Sequence, residues 1–115
     1  MYEVSFYEKA DGTKPAEEFI LGLEVKMRSK IIRTIQLLQN IGRNMREPYS
    51  KSLGDGIFEL RAQVGNNISR VLYFFIVGER VILTNGFTKK TQKTPKKEID
   101  LAKKYRSDYL SNKEA

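Results

Sequence analysis

The chain contains no cysteine and no histidine among its 115 residues. Without cysteine there can be no disulfide, no zinc–thiolate site and no thiol nucleophile, a composition compatible with a reducing cytosol. The missing histidine removes the commonest general base and the commonest metal ligand, so neither a transition-metal site nor a cofactor is expected. Long apolar runs are also lacking. The longest, Val71 to Val77, is far too short to cross a bilayer, and the opening MYEVSFYEK is too polar for a signal peptide. The expectation is a soluble cytoplasmic protein without a membrane partner.

Acids are scarce relative to bases: 14 against 21, for a net charge of +7. The excess is unevenly placed, with residues 1–27 contributing −3, residues 28–87 contributing +5 and residues 88–115 another +5. Such a field attracts nucleic acid or an acidic protein surface, though alone it promotes only weak, nonspecific association. The acids are scattered, and Asp55, Glu59 and Glu79 show no spacing that pairs them for carboxylate catalysis. Any chemistry falls to Lys, Arg, Tyr, Asp, Glu, Ser or Thr.

The length fits one domain spanning 1–115, and there is no repeat or linker. Tyr2 to Tyr7 alternates as a strand does. Asp11-Gly12 marks a turn, and Pro15 suits the first position of a helix whose inner face is Ala16, Phe19, Ile20 and Leu23. A longer helix is expected from Glu24 to Ile41, with Met27, Ile31, Ile35, Leu38 and Ile41 inward, Lys26, Lys30 and Arg33 along its other side, and Gly42 as its cap. The two helices should pack as an antiparallel pair. Arg43 to Ser52 reads as a polar connection, and Thr94-Pro95 opens a final helix with Ile99, Ala102, Tyr105 and Tyr109 on its apolar side, its end fraying from Ser111 to Ala115.

Between these helices lie three strands. Ile57 to Val64 alternates, putting Phe58, Leu60, Ala62 and Val64 on one face and Glu59, Arg61 and Gln63 on the other; Gly65-Asn66-Asn67 then turns the chain into Ile68 to Val77. A two-residue loop places Arg61 and Arg70 on one face, opposite or diagonal to each other, whereas a three-residue loop would separate them. The even loop is preferred. Two adjacent arginines repel unless an anion sits between them, and guanidinium geometry suits a phosphate. The alternative is that each arginine pairs with Glu59 or another acid.

The last strand, Val81 to Phe87, leads into a lysine-rich loop from Thr88 to Thr94. Lys89, Lys90, Lys93, Lys96 and Lys97 are the densest charge run of the chain. Most such runs are solvated faces, but this one leaves the sheet beside the arginines and opens onto a helix N-terminus. Tyr73 and Phe87 are candidates for stacking on bases, with core burial as the competing reading, while Phe74 and Phe75 belong to the core. The expected fold is α+β: an antiparallel-rich sheet of about four strands against an N-terminal helix pair, with a C-terminal helix.

LGDGIFELR, SRVLYFF and VILTNGFTKKTQKTP, followed by a helix with Glu98, Ile99 and Ala102, together resemble the RelE/ParE toxin superfamily of type II toxin–antitoxin systems, and within it the HigB-like, phage-derived branch. The resemblance covers residues 50–105 in specific motifs. It implies a ribosome-dependent mRNA endonuclease (mRNA interferase) that inhibits translation and growth. It also implies an adjacently encoded helix-turn-helix antitoxin, through which alone the toxin would meet operator DNA. The catalytic positions it implies are Arg61, Arg70, Lys89 and Lys90, with Lys93, Lys96, Lys97, Tyr73 and Phe87 as RNA-binding residues. Where some relatives place a Tyr or His after the basic loop, this chain has Lys93 and Thr94. The reaction expected is metal-independent attack of a ribose 2′-OH on the adjacent phosphate, leaving a cyclic phosphate and a free 5′-OH. Preorganised arginines would stabilise the phosphorane, and a lysine crowded by cations, Lys89 or Lys90, would carry a proton. Arg70→Ala is expected to abolish toxicity without unfolding. The alternatives are a ParE-like inhibitor of DNA gyrase without nuclease activity, and a non-toxic basic nucleic-acid-binding domain.

Overall fold

A computed structural model describes residues 1–113, so Glu114 and Ala115, the tip of the expected frayed end, lie outside the described residues. The elements run β1 (Glu3–Phe6), α1 (Pro15–Leu21), α2 (Val25–Ile41), a 3-10 turn (Gly42–Asn44), β2 (Ser50–Gly54), β3 (Ile57–Val64), β4 (Asn67–Ile76), β5 (Arg80–Lys89) and α3 (Lys96–Lys113). The sheet has five strands in the order β1-β5-β4-β3-β2, with β1 parallel to β5 and every other pair antiparallel.

Local chemistry accounts for the helix ends. Pro15 stands at the start of α1 after an extended Lys14, with Glu17 and Glu18 in the first turn, where the helix dipole favours them. The Glu24 carboxylate caps α2 by accepting from the Lys26 N–H at 3.2 Å. At the other end Gly42 has φ 50°, and a Cβ there would lie 1.9 Å from the Tyr2 ring, so only glycine fits. Two details differ from the expected stripe. Ile41 is exposed, and Thr34 takes an inward position, its hydroxyl donating to the Lys30 carbonyl at 2.9 Å.

The two helices touch each other but pack mainly on the sheet. α1 rests mainly on β5 and α2 on β3, because the apolar surface of the sheet offers each more to bury against than the short α1 can offer α2. Strand alternation divides the sheet into two cores. One holds Leu60, Ala62, Val71, Tyr73, Val81 and Leu83 beneath α1 and α2. The other holds Tyr7, Ile57, Leu72, Phe74, Ile82 and Phe87 beneath α3, which contributes Ala102. β4 is central and buried on both faces over most of its length, as its apolar composition demands.

The extra strand is β2. It carries one apolar residue, Leu53, and pairs only with β3, so it is an edge strand whose exposed Lys51 and Ser52 face solvent. Edge strands are commonly kept short and charged. At the other boundary, Thr88 and Lys89 extend β5 instead of beginning the loop, opposite Ser69 and Ile68. Thr84-Asn85 form a mid-strand bulge opposite Leu72, and Gly86 pairs with Val71. A Cβ on Gly86 would lie 2.3 Å from the Phe19 ring and 2.9 Å from the Arg70 carbonyl.

Candidate functional site

The β3–β4 hairpin closes through a two-residue loop, Gly65-Asn66, with Val64 opposite Asn67 and Arg61 directly opposite Arg70. Phe87 stands opposite Arg70 on the next strand, and Lys89, two residues on, shares that face. The arginine pair therefore lies on the α3 side of the sheet, beyond the end of the helix, where the loop 90–95 crosses it.

Both guanidinium groups are engaged by this loop. Arg61 donates through its Nη2 to the Gln92 carbonyl at 3.1 Å and to Gln92 Oε1 at 3.0 Å. Arg70 donates to the carbonyls of Ile68 at 3.2 Å and Lys89 at 3.4 Å, and to that of Thr91. It is 0 % exposed, with its guanidinium 5.2 Å from the centre of the Phe87 ring. Burial, and then the charge of Arg61, push its pKa below the usual arginine value, while Glu59 acts in the opposite direction.

Glu59 is the anion beside the arginines, two residues before Arg61 on the same strand face. It is 1 % exposed, its Oε2 lies 3.2 Å from Arg61 Nε, and its Oε1 accepts from the Thr94 hydroxyl. The approach to Arg61 is an ion pair without an in-line hydrogen bond. Arg61 Nε and Arg70 Nε are both buried donors with no hydrogen-bond acceptor. Orphaned donors of this kind are uncommon, and each costs free energy until something accepts from it. A phosphate oxygen is a chemically suitable acceptor.

Of the remaining candidates, Lys89, Lys90, Lys93, Lys96 and Lys97 are exposed. Lys89 ends β5 on the arginine face, Lys90 and Lys93 lie in the loop, and Lys96 and Lys97 begin α3. Two expected base-stacking residues are corrected. Tyr73 is buried in the core under α1 and α2, stacked on Phe58 with its hydroxyl 2.5 Å from Ser50 Oγ, and Phe87 is buried beneath Arg70 and α3. Neither presents a ring face to a ligand. The cause is the register, which places Tyr73 opposite Phe58 and Leu83 on a helix-covered face.

The alternative reading, that an arginine pairs with Glu59, holds for Arg61, whereas sequence reasoning missed Gln92 and the hydrogen bond from Thr94 to Glu59. The signal for Glu59 was its position two residues before Arg61 on the same strand face. Gln92 and Thr94 carried no such signal, because the path of a loop is not periodic. Also missed was a groove of about 640 Å³ that opens beside Arg61 along α2 and the β3 edge. Among the described residues no group of three or more His, Cys, Asp or Glu is placed to hold a metal ion, and no helix is long and apolar enough to cross a membrane.

The chain is thus an α+β protein with a five-stranded sheet, an opposed arginine pair under the loop 90–95 and a groove beside Arg61. Residues 18–107 match the family described as phage derived protein Gp49-like, and the chain belongs to that family, a toxin-like family related to RelE/ParE. Membership is consistent with a toxin of a toxin–antitoxin module. No curated protein matches the chain.

Proposed function

We propose that this chain is a type II toxin that cleaves messenger RNA on the ribosome, the HigB-like role within its superfamily. It would be held inactive by an adjacently encoded helix-turn-helix antitoxin. The observation that carries this reading is the pair of guanidinium groups of Arg61 and Arg70, side by side across two strands, whose buried Nε–H groups have no in-line acceptor. A phosphate that displaces Gln92 from Arg61 would meet the arginine pair, and the charge that develops on its oxygens in the transition state would strengthen the contact. In the reaction the 2′-oxygen attacks phosphorus and loses its proton. The bond from phosphorus to the 5′-oxygen breaks, and that oxygen takes up a proton. Glu59 acts as a positioning residue that orients Arg61. Lys89 is better placed than Lys90 to carry a proton, since it shares the strand face of the arginines.

The test uses Arg61→Ala instead of Arg70→Ala, because Arg70 also holds the loop carbonyls and its loss would disturb the fold. After induction in a bacterial host, wild type should arrest growth and leave coding regions cut with cyclic phosphate and 5′-OH ends. Arg61→Ala should lower cleavage by about a hundredfold or more. Full growth arrest by Arg61→Ala would defeat the site, and efficient cutting of naked RNA would defeat the ribosome requirement.

One observation favours a second reading. Backbone carbonyls of the loop and of the strand ends accept from both guanidinium groups and Glu59 is almost fully covered, as expected of arginines that merely shape a surface. On that reading the protein is a ParE-like gyrase inhibitor. Induction would then change plasmid supercoiling and leave messenger RNA intact.

A further inference from the structure

The groove beside Arg61 has a wall from α2, a wall from the free part of β3 and a rim from the connection before β2. Its lining residues include Lys30, Arg33 and Arg61, and no carboxylate. In a chain with 14 acids, a 640 Å³ groove lined by three cations and no acid is an electrostatic trap for an extended anion. Lys30 fixes the width of one end, its Nζ donating at 2.9 Å to the Gln63 carbonyl, which β2 does not reach. Gln63 and Gln92 add amide groups able to read the edges of bases.

The rim supplies an aromatic. The Tyr49 carbonyl accepts from the Arg61 N–H at 2.9 Å, so strand pairing continues one step past Ser50 and fixes Tyr49 beside Arg61. Unlike Tyr73 and Phe87, Tyr49 is 50 % exposed, and it lines the groove. An exposed aromatic beside cations spaced along a groove is how single-strand binders take up nucleic acid: the ring stacks on a base while the cations neutralise phosphates. An acidic peptide would use the cations and leave the ring without a partner.

We propose that this groove binds the single-stranded RNA next to the phosphate held at Arg61, with Tyr49 stacking on a base and Arg33 and Lys30 neutralising backbone phosphates. The proposal rests on the ribonuclease reading for the direction of the strand. It adds a binding site made of residues from α2 and the pre-β2 connection. Arg61 lines the groove and stands opposite Arg70, so an RNA strand in the groove passes directly beside the more exposed member of the arginine pair.

The experiment titrates purified full chain into a short fluorescein-labelled oligoribonucleotide with 2′-O-methyl groups throughout, which cannot be cleaved by 2′-OH attack, and follows anisotropy at low salt. Tyr49→Ala should weaken binding about tenfold, while Tyr49→Phe keeps it. Arg33→Ala should weaken binding and reduce the slope of log affinity against log salt by about 0.7. Lys104→Ala, an equal loss of charge on α3, should change the affinity far less than Arg33→Ala does. Thermal melts of each variant matching wild type establish that folding is not the cause. Unchanged RNA affinity in both Tyr49→Ala and Arg33→Ala overturns the proposal. So does loss of polyglutamate binding with RNA binding intact, which would assign the groove to an acidic protein partner. The two readings fail separately: wild type that binds through the groove but cleaves nothing on ribosomes refutes the nuclease alone. Conversely, cleavage and binding indifferent to both groove variants refute the groove alone.

Discussion

The face of the sheet beneath α3 is two regions built on the same strands. Toward one end, Ile57, Leu72, Phe74 and Ile82 are sealed by the helix through Ala102, Tyr105 and Tyr109. Toward the other, Glu59, Arg61 and Arg70 occupy equivalent inward positions and are sealed by the loop 90–95. Alternation is the same in both, but the energetics are opposite. Burying the apolar half stabilises at roughly 25 cal/mol per Å². Burying the charged half requires desolvating three ionic groups, and such clusters often contribute nothing net to stability. In this half the Nε–H groups of Arg61 and Arg70 are buried without an in-line acceptor.

The largest effect should come from testing that division directly. Leu72→Ala, in the apolar half, should lower the unfolding free energy by about 2–5 kcal/mol in urea titrations. Arg61→Lys, which keeps a cation against the buried Glu59 carboxylate, should lower it by no more than about 1 kcal/mol, the net worth of the hydrogen bonding it loses, while removing activity. If Arg61→Lys proved as destabilising as Leu72→Ala, the charged half would be structural and the comparison would collapse.

A smaller effect sharpens the account of the charged half. Glu59→Gln retains an acceptor for Thr94 but removes the anion paired with Arg61, which should cost about 1–3 kcal/mol. Inorganic phosphate should then restore more stability to this variant than it adds to wild type, because an external anion takes the vacated role. Equal stabilisation of both proteins by phosphate would show that Glu59 and an entering anion do not share a locus.

What the sequence revealed follows the same division. The opposition of Arg61 and Arg70 was legible because period-two alternation and an even loop are local facts, and they fixed the register. Glu59 lay on the correct face but passed for a surface acid, since its burial is conferred by Thr94, 35 residues away. β2 was read as a connection because an edge strand with one apolar residue has no alternation to detect. Lys30 and Arg33 resembled an ordinary solvated helix face, and only the path of the chain through Tyr49 turns that face into one wall of a groove. Tyr73 and Phe87 were misjudged for a related reason. An aromatic in an apolar strand is described by which helix covers it, and that is settled by pairing partners distant in sequence.

The smallest effect extends the comparison to the two sides of the sheet. Each apolar core holds one buried tyrosine with a polar partner: Tyr73 with Ser50 beneath α1 and α2, and Tyr7 with Asp108 beneath α3. Burial is the first cause in both cases of a phenol pKa above its ordinary value, and the adjacent Asp108 carboxylate adds to the shift at Tyr7, whereas the Ser50 hydrogen bond moderates it at Tyr73. The folded state therefore holds each proton more tightly than the unfolded chain does. The stabilisation linked to that proton is complete below the usual tyrosine pKa of about 10 and is lost as pH rises beyond it through the folded values. At neutral pH, Tyr73→Phe should cost about 1 kcal/mol, the net worth of one hydrogen bond. In urea unfolding followed upward from about pH 9, both Tyr→Phe variants should lose stability less steeply than wild type, with Tyr7→Phe the flatter of the two. An alkaline slope unchanged in Tyr7→Phe would mean that the phenol is not the proton whose loss loosens α3 from the sheet.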